Sequence, residues 1–264
     1  MLIIGENISI TARAIGAAIK DRDPKPIVDL AKAQAQAGAD YIDVNIGPAT
    51  KNGEDLMQWI VKSIQDEIDL PLVLDTKNVS AIEAGLKVHK GTAIINSVTG
   101  DQDKLDTLMP LAKKYDAKII GIALTDKGVP PDVDSRLEIV MNIVSSAMEY
   151  GVPMEDLYLD PIALPVAVLQ EQVHNCIKAL KVFKQLQELM DLPAQPKTTI
   201  GLSNVSQSSP VELKSLINRS MLLILLSGGL DSAIIDPLDK DLMDAVKTFD
   251  ILNNKILYAH SYLD

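Results

Sequence analysis

Eight times along this chain a short β-prone run closes on a polar residue, and the segments between these runs carry helical spacing. The runs end at Glu6 and Asn7, at Asp43 and Asn45, at Asp75, at Asn96 and Ser97, at Thr125, at Asp160, at Ser203 and Asn204, and at Asp236. Strands that alternate with helices pair in parallel, because each crossover returns the chain to the same edge of the sheet. Eight repeats in 264 residues, without a linker or a low-complexity stretch, predict one (β/α)8 TIM barrel domain over 1–264 rather than an open doubly wound sheet.

Local signals set the expected boundaries. Strands are expected at 2–5, 41–45, 71–74, 93–95, 118–124, 157–159, from 198 to a break at Gly201, and at 232–235. Asp23 as N-cap, Pro24 in the first turn and Gly38 as a stop predict a helix over 24–37. Further helices are expected at 56–68, 79–88, 105–114, 135–150, 166–189, 216–226 and 242–253, with a Pro-rich loop at 127–134.

Composition narrows the function. Acidic residues outnumber basic ones 36 to 25, a net of −11, and aromatic residues make up only 3%, so the basic stripes and stacking platforms of a nucleic-acid binder are missing. Cys176 is the only cysteine and His89, His174 and His260 are far apart, so neither a disulfide nor a thiolate or histidine metal site is expected. No apolar run approaches the roughly 18 residues of a membrane span, and 1–5 reads as the first strand rather than a leader, so a cytoplasmic protein is expected.

In a parallel barrel all strand ends meet on one face. Glu6, Asn7, Asp43, Asn45, Asp75, Asn96, Asp160, Ser203, Asn204 and Asp236 therefore converge on one axis, although each alone is more often a turn former or cap. Carboxylates and amides without cations suit a ligand that presents several N–H donors, not a phosphate. Ser227-Gly-Gly-Leu-Asp-Ser232 matches the phosphate loop of ATP pyrophosphatases. Only 32 residues follow it, and two glycines ending a helix explain it.

The strand ends resemble those of the pterin-binding barrels, which include dihydropteroate synthases and the methyltetrahydrofolate domain of methionine synthase. Within that group the chain resembles the methyltetrahydrofolate:corrinoid/iron–sulfur protein methyltransferases of acetyl-CoA metabolism. The residues that carry this are Ile3-Ile-Gly-Glu6, Asp43-Val-Asn45 with Gly47-Pro48, Leu74-Asp75-Thr76, Ile95-Asn96-Ser97, the run from Pro153 to Pro161, and Gly201-Leu-Ser-Asn-Val-Ser-Gln207 with Ile217-Asn218-Arg219. Related sequences often read Gly-Glu-Arg-x-Asn at the first strand, where this chain has Gly5-Glu6-Asn7-Ile8-Ser9. Dihydropteroate synthases carry Ser-Arg-Lys after the seventh strand, where Ser203-Asn204-Val205 lacks both cations.

The resemblance implies an enzyme that takes the N5-methyl group of 5-methyltetrahydrofolate to the Co(I) of a corrinoid iron–sulfur protein. Asp75, Asn96 and Asp160 would bind the pterin edge, Asn204 would act at N5, and Ser203 and Gln207 would support it. Glu6, Asp43 and Asn45 would complete the substrate site. The corrinoid would arrive on the partner, because the chain lacks an Asp-x-His-x-x-Gly motif. A homodimer is implied as well. A methyltransferase serving another corrinoid protein, or a barrel that only sequesters folate, fits the same residues.

Overall fold

A computed structural model describes residues 1–49 and 51–263. Its eight strands are β1 (Leu2–Ser9), β2 (Tyr41–Asn45), β3 (Leu72–Asp75), β4 (Ile94–Val98), β5 (Lys118–Ile122), β6 (Leu157–Asp160), β7 (Lys197–Thr198) and β8 (Ser232–Ile235). All pair in parallel, in the order β7-β6-β5-β4-β3-β2-β1-β8. The ring closes where Gly201 bridges Ile234, whose N–H donates to the Ile200 carbonyl at 2.8 Å. Side chains reinforce this thin seam. Asp231 accepts the Thr198 N–H at 2.7 Å, its hydroxyl at 2.9 Å and the Lys184 ammonium at 2.8 Å.

Alternate residues of each strand point inward. Ile4, Tyr41, Val73, Ile94, Ile120 and Tyr158 form one apolar layer inside the barrel. The opposite parity, with Ile3, Ile42, Leu72, Leu74, Ile95, Ile119 and Leu159, packs outward against the helices. At the lower end the Lys118 ammonium lies 5.6 Å from the Tyr41 ring and 5.7 Å from the Tyr158 ring, so one cation meets two aromatic faces there.

The helices are α1 (Arg13–Asp21), α2 (Lys25–Gln36), α3 (Gly53–Gln65), α4 (Val79–Val88), α5 (Gln102–Lys114), α6 (Val133–Glu149), α7 (Val166–Phe183), α8 (Leu186–Leu189), α9 (Val211–Ser227) and α10 (Lys240–Leu252). Most expected elements are found within a few residues. Helix α1 was not expected: its alanines hide a short stripe in which Ile15, Ala18 and Ile19 bury at helical spacing. Strand β1 runs on through Glu6 and Asn7 to Ser9 because a bulge lies between Gly5 and Ile8. The expected helix over 166–189 is two, and α7 is itself interrupted at Leu169, whose φ and ψ are −138° and 60°. Helix α9 starts at Val211, directly after Pro210. The glycines of the Ser-Gly-Gly run end α9, with Gly229 at φ +95° and Leu230 N–H donating back to Leu225 at 3.1 Å. Among the described residues no helix is long and apolar enough to cross a membrane.

The seam generates a prediction. Asp231→Ala leaves the Thr198 N–H and hydroxyl without their acceptor at the joint where strand pairing is shortest. The expected loss is about 2 to 3 kcal/mol, measured as the unfolding free energy in urea. An unchanged value would mean the backbone bridge alone closes the barrel.

Candidate active site at the strand ends

Two residues above the inner apolar layer, on the same parity, the strands turn polar. Ile4 is followed inward by Glu6, Tyr41 by Asp43 and Asn45, Val73 by Asp75, Ile94 by Asn96, and Tyr158 by Asp160. These residues line one cavity of about 560 Å³ together with Ser203 and Asn204. The volume lies in the range of small-molecule sites. Eight of the nine site residues expected from sequence thus share it. Gln207 does not: it is exposed and follows the turn Leu202–Ser206, which carries Ser203 and Asn204 to the cavity, and the eighth terminator, Asp236, is not part of the lining either.

Every polar group of this set except Asn204 is held. Asp43 Oδ1 accepts the Asn96 amide at 3.1 Å, and Asp75 accepts the amide of Asn45. Asn45 in turn accepts the Gly47 N–H at 2.9 Å. Asp160 receives two backbone donors, Ile162 N–H on Oδ1 at 2.7 Å and Gly201 N–H on Oδ2 at 3.2 Å. Glu6 Oε1 accepts the Ser203 hydroxyl at 2.5 Å across the whole chain. The bulge that aims Glu6 inward is fixed from behind by fully buried Gln34, which donates to the Glu6 carbonyl. A Cβ on Gly5 would stand 2.6 Å from Gln34 Oε1, so this close approach requires glycine. Asn204 is exposed at the rim, and its side chain has no hydrogen-bond partner among the described residues.

Several lining residues were not legible beforehand. Strand β5 ends inward in Ile122, so a rule based on polar terminators passes over it; Leu124, Val129, Ile162 and Ile234 give further apolar wall, and Ser9 and Thr11 join the strand terminators Asn7 and Ser97 in a polar rim. Ile162 has φ 65°, an uncommon conformation for a β-branched residue. Fully buried Arg136 on α6 holds that loop: it donates to the carbonyls of Pro161 at 2.8 Å and Pro130 at 3.2 Å, and to Gln172 at 2.6 Å. One guanidinium therefore braces both loops that supply Val129 and Ile162.

Burial dominates the electrostatics. It raises Glu6 to about 7, against the pull of Ser203 and with a further push from Asp236. It raises Asp75 to about 6 despite the Asn45 donor, and Asp160 to about 6 despite the donors from Ile162 and Gly201 and the charge of Arg136. Asp43 goes well above the usual carboxylate range, from burial first and then from the charges of Asp75 and Glu6. Among the described lining residues there is no lysine, arginine or histidine. Near neutral pH this floor holds both ionised and protonated carboxyls, so it can accept from and donate to one ligand edge. Among the described residues no group of His, Cys, Asp and Glu is arranged to hold a metal ion.

The sequence profile described as pterin binding enzyme matches residues 12–236. The chain belongs to the pterin-binding enzyme family. It is 29% identical to the methylcorrinoid:tetrahydrofolate methyltransferase of Eubacterium limosum, over 99% of this chain and 95% of that one. It is 24% identical to the methionine synthase of Mycobacterium leprae over 89% of this chain, which spans 20% of that longer protein. Among solved structures, a dihydropteroate synthase of Clostridium difficile with pteroic acid superimposes with a TM-score of 0.72 at 21% identity, covering 96% of each chain. The Yersinia pestis enzyme with a pterine-sulfa conjugate gives 0.70 at 14% identity, covering 96% of this chain and 94% of its own. At these identities the two structures establish that this pterin-binding enzyme shares their barrel fold.

The raised carboxyls generate a pH prediction. Glu6 holds its proton in the folded protein up to about 7, against 4.5 ordinarily. The folded state therefore binds more protons than the unfolded one between these values, and stability falls as pH rises through that window. The cost at pH 8 amounts to about 3 kcal/mol from Glu6. Glu6→Gln keeps the shape without the charge, so the difference in unfolding free energy between pH 5 and pH 8 should shrink by about this amount. Urea titrations of both proteins at the two pH values measure it.

Proposed function

We propose that this pterin-binding enzyme transfers a methyl group between N5 of tetrahydrofolate and the cobalt of a corrinoid carried by a partner protein. In the finer reading, 5-methyltetrahydrofolate is the donor and the Co(I) of a corrinoid iron–sulfur protein is the acceptor, as in acetyl-CoA metabolism. One observation carries the reading: a floor of carboxyls and amides without a cation lies beneath an amide, Asn204, that has no hydrogen-bond partner among the described residues. The floor suits the N–H-rich pyrimidine edge of a pterin, with Asp75, Asn96 and Asp160 as its partners and Asp43 and Asn45 fixing their orientation. It offers no counter-charge for the pyrophosphate that a dihydropteroate synthase substrate carries.

The chemistry asks for a donor at N5. When the methyl carbon leaves a tertiary amine, the bonding pair stays on nitrogen, and the resulting anion is unstable without a proton or a strong hydrogen bond. Asn204 stands at the rim with its amide free to donate there, and Ser203 and Glu6 lie beside it. The corrinoid, when the partner brings it, supplies a nucleophilic cobalt. The chain's own part is to hold the pterin, turn N5 to the mouth and stabilise charge on it.

The reverse direction is a second reading, favoured by the Eubacterium limosum relative, whose name makes the methylcorrinoid the donor. The same groups serve both directions, with Asn204 then accepting or releasing the N5 proton's hydrogen bond as the methyl arrives. The exposed apolar residues Leu213, Leu216 and Ile224 along α9 support a homodimer.

Asn204→Ala tests the assignment. Loss of one preorganised donor should lower single-turnover methyl transfer to cob(I)alamin by about 10²-fold, with a smaller loss in methyltetrahydrofolate binding. Equal losses in rate and affinity would reduce Asn204 to positioning the ligand, and tight binding without any transfer by the unaltered protein would leave a folate-sequestering barrel. Asp75→Ala and Asp160→Ala should each weaken binding by about 1.5 to 3 kcal/mol by calorimetry, with the circular dichroism spectrum unchanged. Assays with separate corrinoid proteins, run in both directions, identify the partner.

A further inference from the structure

Four carboxyls face the cavity, and their partners differ in kind. Asp160 accepts backbone N–H donors on both oxygens, and a backbone N–H can neither take nor pass a proton. Asp43 and Asp75 meet the amides of Asn96 and Asn45, which are equally poor carriers. Glu6 alone meets a hydroxyl, at 2.5 Å, and its Oε2 has no hydrogen-bond partner among the described residues. A hydroxyl can accept from one side while it donates on the other. Ser203 directly precedes Asn204, and all three residues line the same cavity.

Resting on the methyl-transfer reading above, we propose that Glu6 is the proton store for N5 and that Ser203 is the relay between them. With Glu6 ionised, the Ser203 hydroxyl points at the carboxylate. With Glu6 protonated, Glu6 donates to Oγ and the Ser203 hydrogen turns toward the cavity. As the N5–methyl bond breaks, the methyl carbon passes to the corrinoid nucleophile without the bonding pair, and that pair remains on N5. Ser203 then gives its hydrogen to N5, directly or through one water, while Oγ takes the proton of Glu6. The products are N5–H tetrahydrofolate and a Glu6 carboxylate, which regains a proton from solvent. The opposite direction runs the same proton back to Glu6.

The surroundings favour a proton held near neutrality. The groups facing Glu6 are Ser203 from the turn after β7, Asp43 from β2 and Asp236 beyond β8, while Gln34 of α2 holds its backbone carbonyl. Burial does most to raise Glu6, the Ser203 hydrogen bond pulls the other way and the charge of Asp236 adds to the rise, so Glu6 exchanges its proton at about 7.

The test compares the unaltered protein with Glu6→Gln and Ser203→Ala, using 5-methyltetrahydrofolate and free cob(I)alamin in single turnovers from pH 5.5 to 9. Folding is checked by circular dichroism and by folate binding. The expected result for the unaltered protein is a rate that falls above the Glu6 ionisation. Glu6→Gln should lose that inflection and slow by roughly 10²-fold below it, with folate affinity reduced by less than the rate. Ser203→Ala should slow similarly, while difference infrared spectra still show a carboxylic acid band titrating as in the unaltered protein. The band should be absent from Glu6→Gln. A Glu6→Gln profile with the same inflection and rate overturns the proton store, and so does a Ser203→Ala profile that matches the unaltered protein for the relay. If the unaltered protein transfers no methyl in either direction, the methyl-transfer reading fails first and this inference falls with it. The two failures are distinguished by that control.

Discussion

The two-residue period of a β-strand governs the interior of this barrel. The same inward parity that fills its middle with Ile4, Val73, Ile94 and Ile120 delivers Glu6, Asp43, Asp75, Asn96 and Asp160 one step higher. Slipping any one strand by a single residue would exchange these side chains for the outward set that packs on the helices. The site and the core therefore share one constraint. The apolar layer beneath also sets the dielectric of the floor, since it removes water from one side of each carboxyl and raises their proton affinity together.

This explains what a sequence can reveal. A polar residue closing an apolar run is visible in one dimension, and where the run is a barrel strand it has only one place to go; Asp75, Asn96 and Asp160 were legible for that reason. Ile122 was not, because the fifth strand ends apolar and nothing local separates a wall residue from a core residue. Gln207 continues the polar run after Gly201, yet it follows the turn at Leu202–Ser206 and is exposed, and exposure after a single turn is not written in composition. The seventh strand was legible from 198 onward, but its shortness was not: β7 ends at Thr198, whose N–H goes to the side chain of Asp231 from 33 residues away.

Distant residues set the precision of the site. Gln34 from α2 fixes the bulge that aims Glu6, and Gly5 leaves room for it. Arg136 from α6 ties the loops after β5 and β6 with four donated hydrogen bonds, three to backbone carbonyls and one to Gln172. Neither lines the cavity, and both spend a fully buried polar side chain on backbone carbonyls. A guanidinium buried this way would be costly without those acceptors, so the loops and the arginine hold each other in place.

The buried layer of Ile4, Val73, Ile94 and Ile120 lies beneath the carboxyls, so the cavity is reached from the strand ends. Whatever binds on the carboxyl layer has to arrive before anything that covers the mouth, and it departs only after the cover lifts. Traffic through such a vessel is last in, first out. A partner docked over the rim would hold the small ligand for as long as it stayed, and the dwell time of one visitor would then set the turnover of the other.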